Sequence, residues 1–254
     1  MQLPQTPSSR LDGRRALVTG AGRGIGLAAA VALADVGAHV VLAARTRSEI
    51  EEAAAAIKSA GGSAEAIVLD VTDTAAVRAM VAAQAPFHIL VNNVGGNRPQ
   101  PFVEFKTEDL DFLLELNVRS AFIVAQAVAS RMAATATRGS LIHISSQMAF
   151  TTGPGRSVYC MTKAALEAMS KNIAVELAPK GIRSNTLCPT FTETPLGKQM
   201  LANPTIKEMV LTKIKLGRVG QVEDLMGGLV FLASDASALM TGTHLIIDGG
   251  WTLG

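Results

Sequence analysis

The sequence RRALVTGAGRGIG at residues 14–26 sets an apolar, strand-like run directly before a glycine-rich turn, and residues 24–36 continue it as an Ala-rich helical stretch. Glycines permit a tight turn and a close approach of the backbone to a pyrophosphate, whose charge then meets a helix N-terminus. The spacing is G-x-x-x-G-x-G rather than G-x-G-x-x-G, but a strand before the turn and a helix after it predict a dinucleotide site. The residues expected to contact the dinucleotide are Gly20, Arg23, Gly24, Ile25 and Gly26.

The same alternation of short apolar runs and longer helical stretches continues along the chain. The apolar runs are continuous, which is typical of parallel strands covered on both faces. Strands are predicted at residues 14–20, 38–44, 63–70, 87–93, 140–145, 182–188 and 243–248, and helices at 24–36, 47–60 and 74–85. A further helix opens at Thr107, which we expect to cap it, with Glu108 and Asp109 in the first turn. The pattern predicts an α/β fold, a single Rossmann-type, doubly wound, mostly parallel seven-stranded sheet with helices on both faces.

The composition favours one folded domain without a nucleic-acid or membrane partner. A chain of 254 residues can bury a large core, and 48% hydrophobic with 17% charged residues argues against disorder. The formal charge is 23 − 21 = +2, without long basic runs, which argues against nucleic acid. The longest apolar stretch, residues 25–34, is too short to span a bilayer.

Three further expectations concern organisation and location. Residues 1–10 lack the apolar core of a signal peptide, so we expect a cytoplasmic location. We expect these ten residues to form a flexible segment and residues 11–254 to form a single dinucleotide-binding and catalytic domain. Cys160 and Cys188 are too few for a secreted disulfide framework. The four histidines have no metal-ligand spacing, so no metal is expected.

The end of the second predicted strand bears on the choice of nucleotide. Dinucleotide folds often carry an acid there that bonds the adenosine ribose 2′-hydroxyl, but this strand ends Ala43-Ala44-Arg45. Arg45 could instead bind a 2′-phosphate, which Arg23 could also approach, since each guanidinium donates a paired fork of hydrogen bonds. The sequence therefore favours NADP(H) over NAD(H). The alternative is that Arg45 points into solvent.

Tyr159 is the only tyrosine in the chain, and it lies four residues before Lys163. On a helix this spacing puts both side chains on one face. A nearby ammonium group is expected to lower the pKa of a phenol, which could then exchange a proton with an alcohol or carbonyl near neutral pH. A serine hydroxyl such as that of Ser146 can hold the same substrate oxygen as charge develops on it.

In combination, these motifs resemble the short-chain dehydrogenases/reductases in their compact form, from Leu11 to the C-terminus. The resemblance is carried by residues 19–26 (T-G-x-x-x-G-x-G), 92–95 (Asn-Asn-Val-Gly), 183–185 (Arg-Ser-Asn), 189–194 and 248–250 (Asp-Gly-Gly), with Asn117, Ser146, Tyr159 and Lys163. Three positions depart from the family pattern. Val94 replaces an alanine, Thr190 replaces a glycine, and Ala44 replaces the acid of NAD-preferring members.

The resemblance implies a catalytic tetrad of Asn117, Ser146, Tyr159 and Lys163. Ser145 competes with Ser146, and the family position of the serine selects Ser146. Tyr159 would be the general acid in reduction and the base in oxidation. Lys163 would tune it and hold the nicotinamide ribose, Ser146 would polarise the carbonyl, and Asn117 would position a water. Further implied cofactor contacts are Asp70 and Val71 beside the adenine, Asn92 in the cleft, and Pro189, Thr192 and Thr194 near the carboxamide and phosphates.

The substrate is less constrained than the chemistry. The expected pocket residues are Asn97, Gln147, Phe150, Thr190 and Phe191, beneath a lid at about residues 190–219 that includes Met200 and Leu201. This mixed lining suits a small ketone, a hydroxysteroid, a sugar or polyol, or an oxoacyl thioester.

The sequence thus predicts an NADP(H)-dependent oxidoreductase that moves hydride between the nicotinamide and a small-molecule carbonyl or secondary alcohol. Within the family, the alternatives are a 3-oxoacyl thioester reductase, a sugar or polyol dehydrogenase, and a hydroxysteroid dehydrogenase. The alternative from another class is a non-catalytic nucleotide-binding regulatory protein. The resemblance also implies a homotetramer or homodimer, paired through the helices that start near Thr107 and Ser157 and the last strand near Thr243.

Overall fold

The continuous apolar runs form a parallel sheet of seven strands in the order β3-β2-β1-β4-β5-β6-β7. The computed structural model describes residues 1, 3–195, 197 and 201–254. The strands are β1 (Arg15–Thr19), β2 (His39–Ala44), β3 (Ser63–Val68), β4 (Ile89–Asn92), β5 (Gly139–Ile144), β6 (Ile182–Pro189) and β7 (His244–Ile247). The predicted fold class is confirmed.

Helices cover both faces of this sheet, because the inner strands are apolar on both sides. They are α1 (Gly24–Asp35), α2 (Arg47–Ser59), α3 (Thr74–Ala83), α4 (Thr107–Leu114), α5 (Ser120–Ala134), α6 (Ser157–Leu177), α7 (Pro204–Lys213) and α8 (Glu223–Ala233). Helices α1, α2 and α8 bury Leu33, Ile50 and Leu229 against one face. Helices α3 and α5 bury Val77 and Val128 against the other.

The strand order reverses between β1 and β4, and ligands of open α/β sheets bind at this kind of switch point. Asn93 joins the two strand ends there. Its Nδ2 donates to the carbonyl oxygens of Thr19 (3.0 Å) and Gly20 (3.3 Å). Its backbone amide donates to the Thr19 hydroxyl at 3.0 Å. The glycine turn is therefore fixed to the end of β4.

The expectation that Thr107 caps helix α4 is wrong. Lys106 is the N-cap residue, and no described side chain caps this helix. The Lys106 amide donates to Gln100 Oε1 at 3.1 Å, so a side chain from the preceding loop holds the residue before Thr107. Asp109 does lie in the first turn, where it pairs with Arg98.

Helices α4 and α5 are joined by a π-helical turn into one run, Thr107–Ala134. By length and composition alone, this run is apolar enough to cross a membrane. In the fold its side chains serve the core instead: Leu113, Val124 and Met132 are each no more than 1% exposed. Packing within the domain is a sufficient reason for the apolar character of the run.

The segment at residues 183–185 fixes the last helix and strand to the sheet. The Arg183 guanidinium donates to the carbonyl oxygens of Leu232 (2.9 Å) and Ser234 (3.1 Å) at the C-terminal end of α8, and to that of Met240 (3.2 Å). Asn185 Nδ2 donates to the same Met240 carbonyl at 2.9 Å. The segment therefore satisfies carbonyl groups that the helix end leaves unpaired.

Arg183→Lys should lower the free energy of unfolding by about 2 kcal/mol, because one ammonium group cannot reach the carbonyls that the planar guanidinium spans. Denaturant unfolding followed by circular dichroism measures the change. Arg78→Lys is the matched control, since Arg78 makes one exposed 3.5 Å bond to Gln126. Equal stability losses in the two variants would contradict the assigned role.

Candidate active site

The turns that follow β1, β4, β5 and β6 meet at one edge of the sheet, because parallel strands all end on the same side. The glycine turn follows β1, and residues 92–96 continue from the end of β4. Ser145 and Ser146 follow β5, and Thr190 follows β6. Helix α6 lies over β5 and β6 and brings Tyr159 and Lys163 to this edge.

Tyr159 and Lys163 lie one turn apart on α6, as predicted. The Lys163 Nζ donates to the Ile144 carbonyl oxygen at 2.8 Å and lies 5.7 Å from the centre of the Tyr159 ring. The side chain is buried, with 5% exposed, and burial lowers the pKa of Lys163 to about 8. Gly95 leaves room for this ammonium group, since a Cβ there would lie 3.4 Å from Nζ.

The pKa of Tyr159 moves opposite to the expectation. Burial raises the pKa of this phenol, while hydrogen bonding by Ser146 and the charge of Arg156 oppose the rise. The loss of water around the ring dominates this pKa, and the groups that oppose it are Ser146 and Arg156 rather than Lys163. The structure keeps Tyr159 in the neutral form, which can donate a proton to a carbonyl oxygen.

The two adjacent serines point to different places. Ser146 Oγ accepts from the Met148 amide at 3.1 Å and donates to Gln147 Oε1 at 2.8 Å. Ser145 Oγ instead donates to the Lys163 carbonyl oxygen at 3.3 Å, beneath the helix. Of the two serines, Ser146 is the one whose hydroxyl affects the pKa of Tyr159, which agrees with the family position.

Asn117 lies in the π-helical turn Glu115–Arg119 and is fully buried. Its Nδ2 donates to the Gly96 carbonyl oxygen (2.9 Å) and to Thr162 Oγ1 (3.0 Å) on α6, and its Oδ1 accepts from the Gly96 amide (2.7 Å). Asn117 therefore ties the loop after β4 to the helix that carries the catalytic pair. The sequence pattern missed the π-turn, a feature frequent at functional sites.

The glycine turn fits a dinucleotide. Gly20 and Gly24 adopt φ values of 64° and 57°, which favour glycine. A Cβ at Gly26 would lie 2.2 Å from the Gly20 carbonyl oxygen, so this position requires glycine as well. No described side chain caps helix α1, so its first amides are free to bind a pyrophosphate.

Two guanidiniums flank this turn, as predicted for a 2′-phosphate. Arg23 lies 3.6 Å from Glu49, and Arg45 lies 3.9 Å from Asp70. Both arginines are largely exposed, and such long contacts are weak. Hydrogen bonds from Thr72 lower the pKa of the Asp70 carboxyl and fix it at the end of β3. Glu49 was not predicted from the sequence, where its only signal is an acid in the first turn of α2.

Other predicted cofactor residues lie at this edge in different ways. Thr194 lies next to the glycine turn, since a Cβ on Gly24 would be 3.3 Å from its Cγ2. Asn92 is buried and donates to the Ala121 carbonyl oxygen at 2.7 Å, so its side chain faces α5. Residues at the strand ends, near the same edge, are Val71, Pro189 and Thr192. Contact between these residues and a nucleotide stays a prediction.

Three predicted pocket residues offer polar groups. Asn97 Oδ1 and Thr190 Oγ1 are buried and have no hydrogen-bond partner among the described residues. Gln147 already accepts the Ser146 hydroxyl. Buried polar atoms without partners are rare, because each forfeits its hydrogen bonds to water.

The two predicted aromatic pocket residues are engaged by neighbours. Phe150 packs on His244 of β7, with ring centres 4.5 Å apart. Phe191 stacks on Trp251 at 5.5 Å, in a small apolar core that includes Val210 of α7. The described part of the predicted lid is thus held by its own core. Met200 lies outside the described residues.

The fold and this edge define a nucleotide-dependent oxidoreductase. A family model described as Enoyl-(Acyl carrier protein) reductase matches residues 20–252, and the chain belongs to the short-chain dehydrogenase/reductase family. The predicted family and enzyme class are therefore confirmed.

Individual relatives are similar over nearly the whole chain. D-erythrulose reductase of Gallus gallus is 39% identical over 245 residues, 96% of this chain and 98% of the relative. Gluconate 5-dehydrogenase of Gluconobacter oxydans (strain 621H) is 39% identical over 247 residues, 96% of each chain. A solved gluconate 5-dehydrogenase from Burkholderia cenocepacia J2315, in complex with NADP and tartrate, is similar with a TM-score of 0.93 and 37% identity, covering 97% of this chain and 98% of that chain.

Ser146→Ala should move the titration of Tyr159 to higher pH, because it removes the hydrogen bond that opposes the effect of burial. Since the chain has one tyrosine, the ultraviolet absorbance of phenolate reports on Tyr159 alone. Ser145→Ala, which removes a hydroxyl bound to the Lys163 carbonyl, should leave the titration unchanged. A shift in the Ser145 variant alone would show that the wrong serine is assigned.

Proposed function

We propose that the protein uses NADP(H) to interconvert the keto and secondary alcohol groups of a small sugar, polyol or sugar acid. The observation that carries this proposal is the strand edge that Ser146 and Tyr159 share with Asn97 and Thr190, whose Oδ1 and Oγ1 atoms lack hydrogen-bond partners among the described residues. The first pair performs carbonyl chemistry. The second pair suits a substrate with several hydroxyl groups.

The choice of NADP(H) is supported by charge. Arg23 and Arg45 can both turn from their weak contacts with Glu49 and Asp70 to a 2′-phosphate. The Burkholderia cenocepacia structure was solved in complex with NADP. When bound, the nicotinamide supplies or accepts the hydride.

The side chains of this chain supply the proton and hold the substrate oxygen. The Ser146 hydroxyl exchanges its bond to Gln147 for one to the substrate carbonyl oxygen. Tyr159 donates its phenolic proton to that oxygen in reduction and removes it in oxidation. The buried charge of Lys163 stabilises the phenolate left after proton transfer. A non-catalytic regulatory protein would not need this set of groups.

A polyhydroxylated substrate fits better than a steroid. Steroid recognition needs an extensive apolar wall, but Phe191 stacks on Trp251 in the small core at the lid, while Phe150 is exposed and already contacts His244 on one side. Asn97, Gln147 and Thr190 offer hydrogen bonds instead. Relatives named for D-erythrulose and gluconate act on small polyhydroxylated molecules, which supports the same substrate class here.

We also propose a homotetramer in the cytoplasm. Apolar side chains are exposed on the helices and on the segment before β7: Phe112, Phe122, Val175 and Leu239. Burial in a subunit interface would remove this surface from water. Light scattering of the purified protein should give four times the chain mass of 26.4 kDa. The free thiols of Cys160 and Cys188 are compatible with a reducing compartment.

The purified protein should oxidise NADPH faster than NADH in the presence of ketoses or keto-aldonates, and should be slower with oxoacyl thioesters and ketosteroids. Tyr159→Phe should reduce turnover by at least about 10²-fold while retaining nucleotide binding, because it removes only the proton donor. Loss of nicotinamide absorbance measures turnover, and nucleotide fluorescence measures binding. A fully active Tyr159→Phe variant, or NADPH oxidation with thioesters only, would contradict the proposal.

A further inference from the structure

Helix α6 carries a second buried ionisable group on the face it turns toward the sheet. Glu167 lies one turn beyond Lys163 and is only 7% exposed. Its Oε2 accepts from the Thr186 hydroxyl at 2.9 Å, and its Oε1 accepts from the Cys188 thiol at 3.4 Å. Both donors belong to β6 and are fully buried. The carboxyl group is therefore held on two sides, deep beneath the helix.

The partners of Glu167 do not neutralise it. A hydroxyl and a thiol donate hydrogen bonds but carry no positive charge, and a buried carboxylate needs charge compensation. The ammonium of Lys163 lies on the same helix face four residues earlier, a spacing at which side chains are neighbours. Burial lowers the pKa of Lys163 to about 8, and the neighbouring Cys188 and Glu167 both oppose that effect. The two buried charges support each other.

Two other titratable groups that face this layer, Cys188 and His143, are neutral at neutral pH. Burial raises the pKa of Cys188 to about 12, and the Glu167 carboxylate adds to the rise. Burial lowers the pKa of His143, on β5, to about 4. In the turn that holds Asn117, Glu115 and Arg119 pair with each other at the surface, 2.7 Å apart. Glu167 is thus the anion that faces Lys163 from within the domain.

We propose that Glu167 is a positioning residue whose carboxylate keeps Lys163 protonated through the neutral range, and so sets the pH range in which the Tyr159–Lys163 pair works. Glu167 touches neither substrate nor nucleotide in this assignment; it acts through Lys163. Only its effect on turnover rests on the proposed function. Its effect on the protonation of Lys163 is present in the protein without any nucleotide and can be measured there.

The direct test is the titration of Lys163 in the nucleotide-free protein, followed by NMR of ¹³Cε-labelled lysine and assigned with Lys163→Arg. In Glu167→Gln, which keeps the size of the side chain but not its charge, the lysine should titrate at lower pH by about one unit. Glu167→Asp keeps the charge and should titrate close to the parent. Glu176→Gln is the matched control, because it removes an exposed charge from the same helix and should change nothing.

The functional test is the pH dependence of kcat/KM for NADPH-dependent reduction. The alkaline limb of the profile should move to lower pH in Glu167→Gln, with activity kept at the acidic end. Asp at position 167 should restore most of the parent profile. A purely structural role would instead lower the rate equally at all pH values, and that result would overturn the proposal.

The lysine titration decides the proposal even if no carbonyl substrate is turned over, in which case only the proposed function fails. An unchanged Lys163 midpoint in a folded Glu167→Gln variant would overturn the inference. Should that variant not fold, Glu167→Met carries the same expectation. Methionine fills a similar volume without charge, and Thr186 and Cys188, 3.5 Å apart, can then bond each other.

Discussion

The site depends on the burial of one ammonium group beneath helix α6. Taking the charge of Lys163 out of water is unfavourable unless the protein supplies fixed dipoles and an opposite charge. The Ile144 carbonyl oxygen at the end of β5 supplies a fixed dipole, and Glu167 supplies an opposite charge. Because the Ile144 carbonyl oxygen belongs to the sheet, its bond to Lys163 joins α6 to the end of β5, one helical turn from Tyr159.

The layer beneath α6 is more polar than the layers beneath the other helices that cover the sheet. The face beneath α1, α2 and α8 is lined by aliphatic side chains. Beneath α6, the sheet contributes polar groups: His143 Nε2 lies 3.3 Å from Ser184 Oγ, which lies 2.9 Å from Ser170 Oγ on the helix. Such a network gains less free energy than an aliphatic core, but it specifies one position of the helix. A catalytic pair needs that positional precision more than it needs maximal stability.

The sequence was sufficient to predict the elements governed by local pattern. Continuous apolar runs predicted the seven strands, with boundaries that differ from the structure by no more than two residues. The four-residue spacing of Tyr159 and Lys163 predicted a shared helix face, and the family position selected Ser146 over Ser145. These features depend on periodicity and spacing, which a single sequence carries directly.

Features set by contacts between distant segments were missed. Thr107 reads as an N-cap, but the N-cap residue is Lys106, whose amide donates to Gln100. Nothing in the apolar run that spans α4 and α5 marks the π-turn around Asn117, because that turn arises from bonds to Gly96 and Thr162. In the sequence, Glu167 looks like an ordinary acid on a helix, whereas in the structure its side chain faces β6. The prediction that the pKa of Tyr159 is lowered failed for a related reason. Spacing predicts a neighbouring side chain, whereas burial, which raises this pKa, depends on the whole fold.

The departures from the family pattern fall where the fold leaves freedom. Val94 lies against the glycine turn, since a Cβ on Gly20 would be 3.2 Å from its Cγ2, so the larger side chain makes glycine at position 20 more necessary. Thr190 has a different consequence. A glycine there would add no polar group to the strand edge, whereas the threonine adds a hydroxyl that lacks a partner among the described residues. The side-chain hydroxyl of Thr190 can therefore change without breaking a hydrogen bond that holds helix α6.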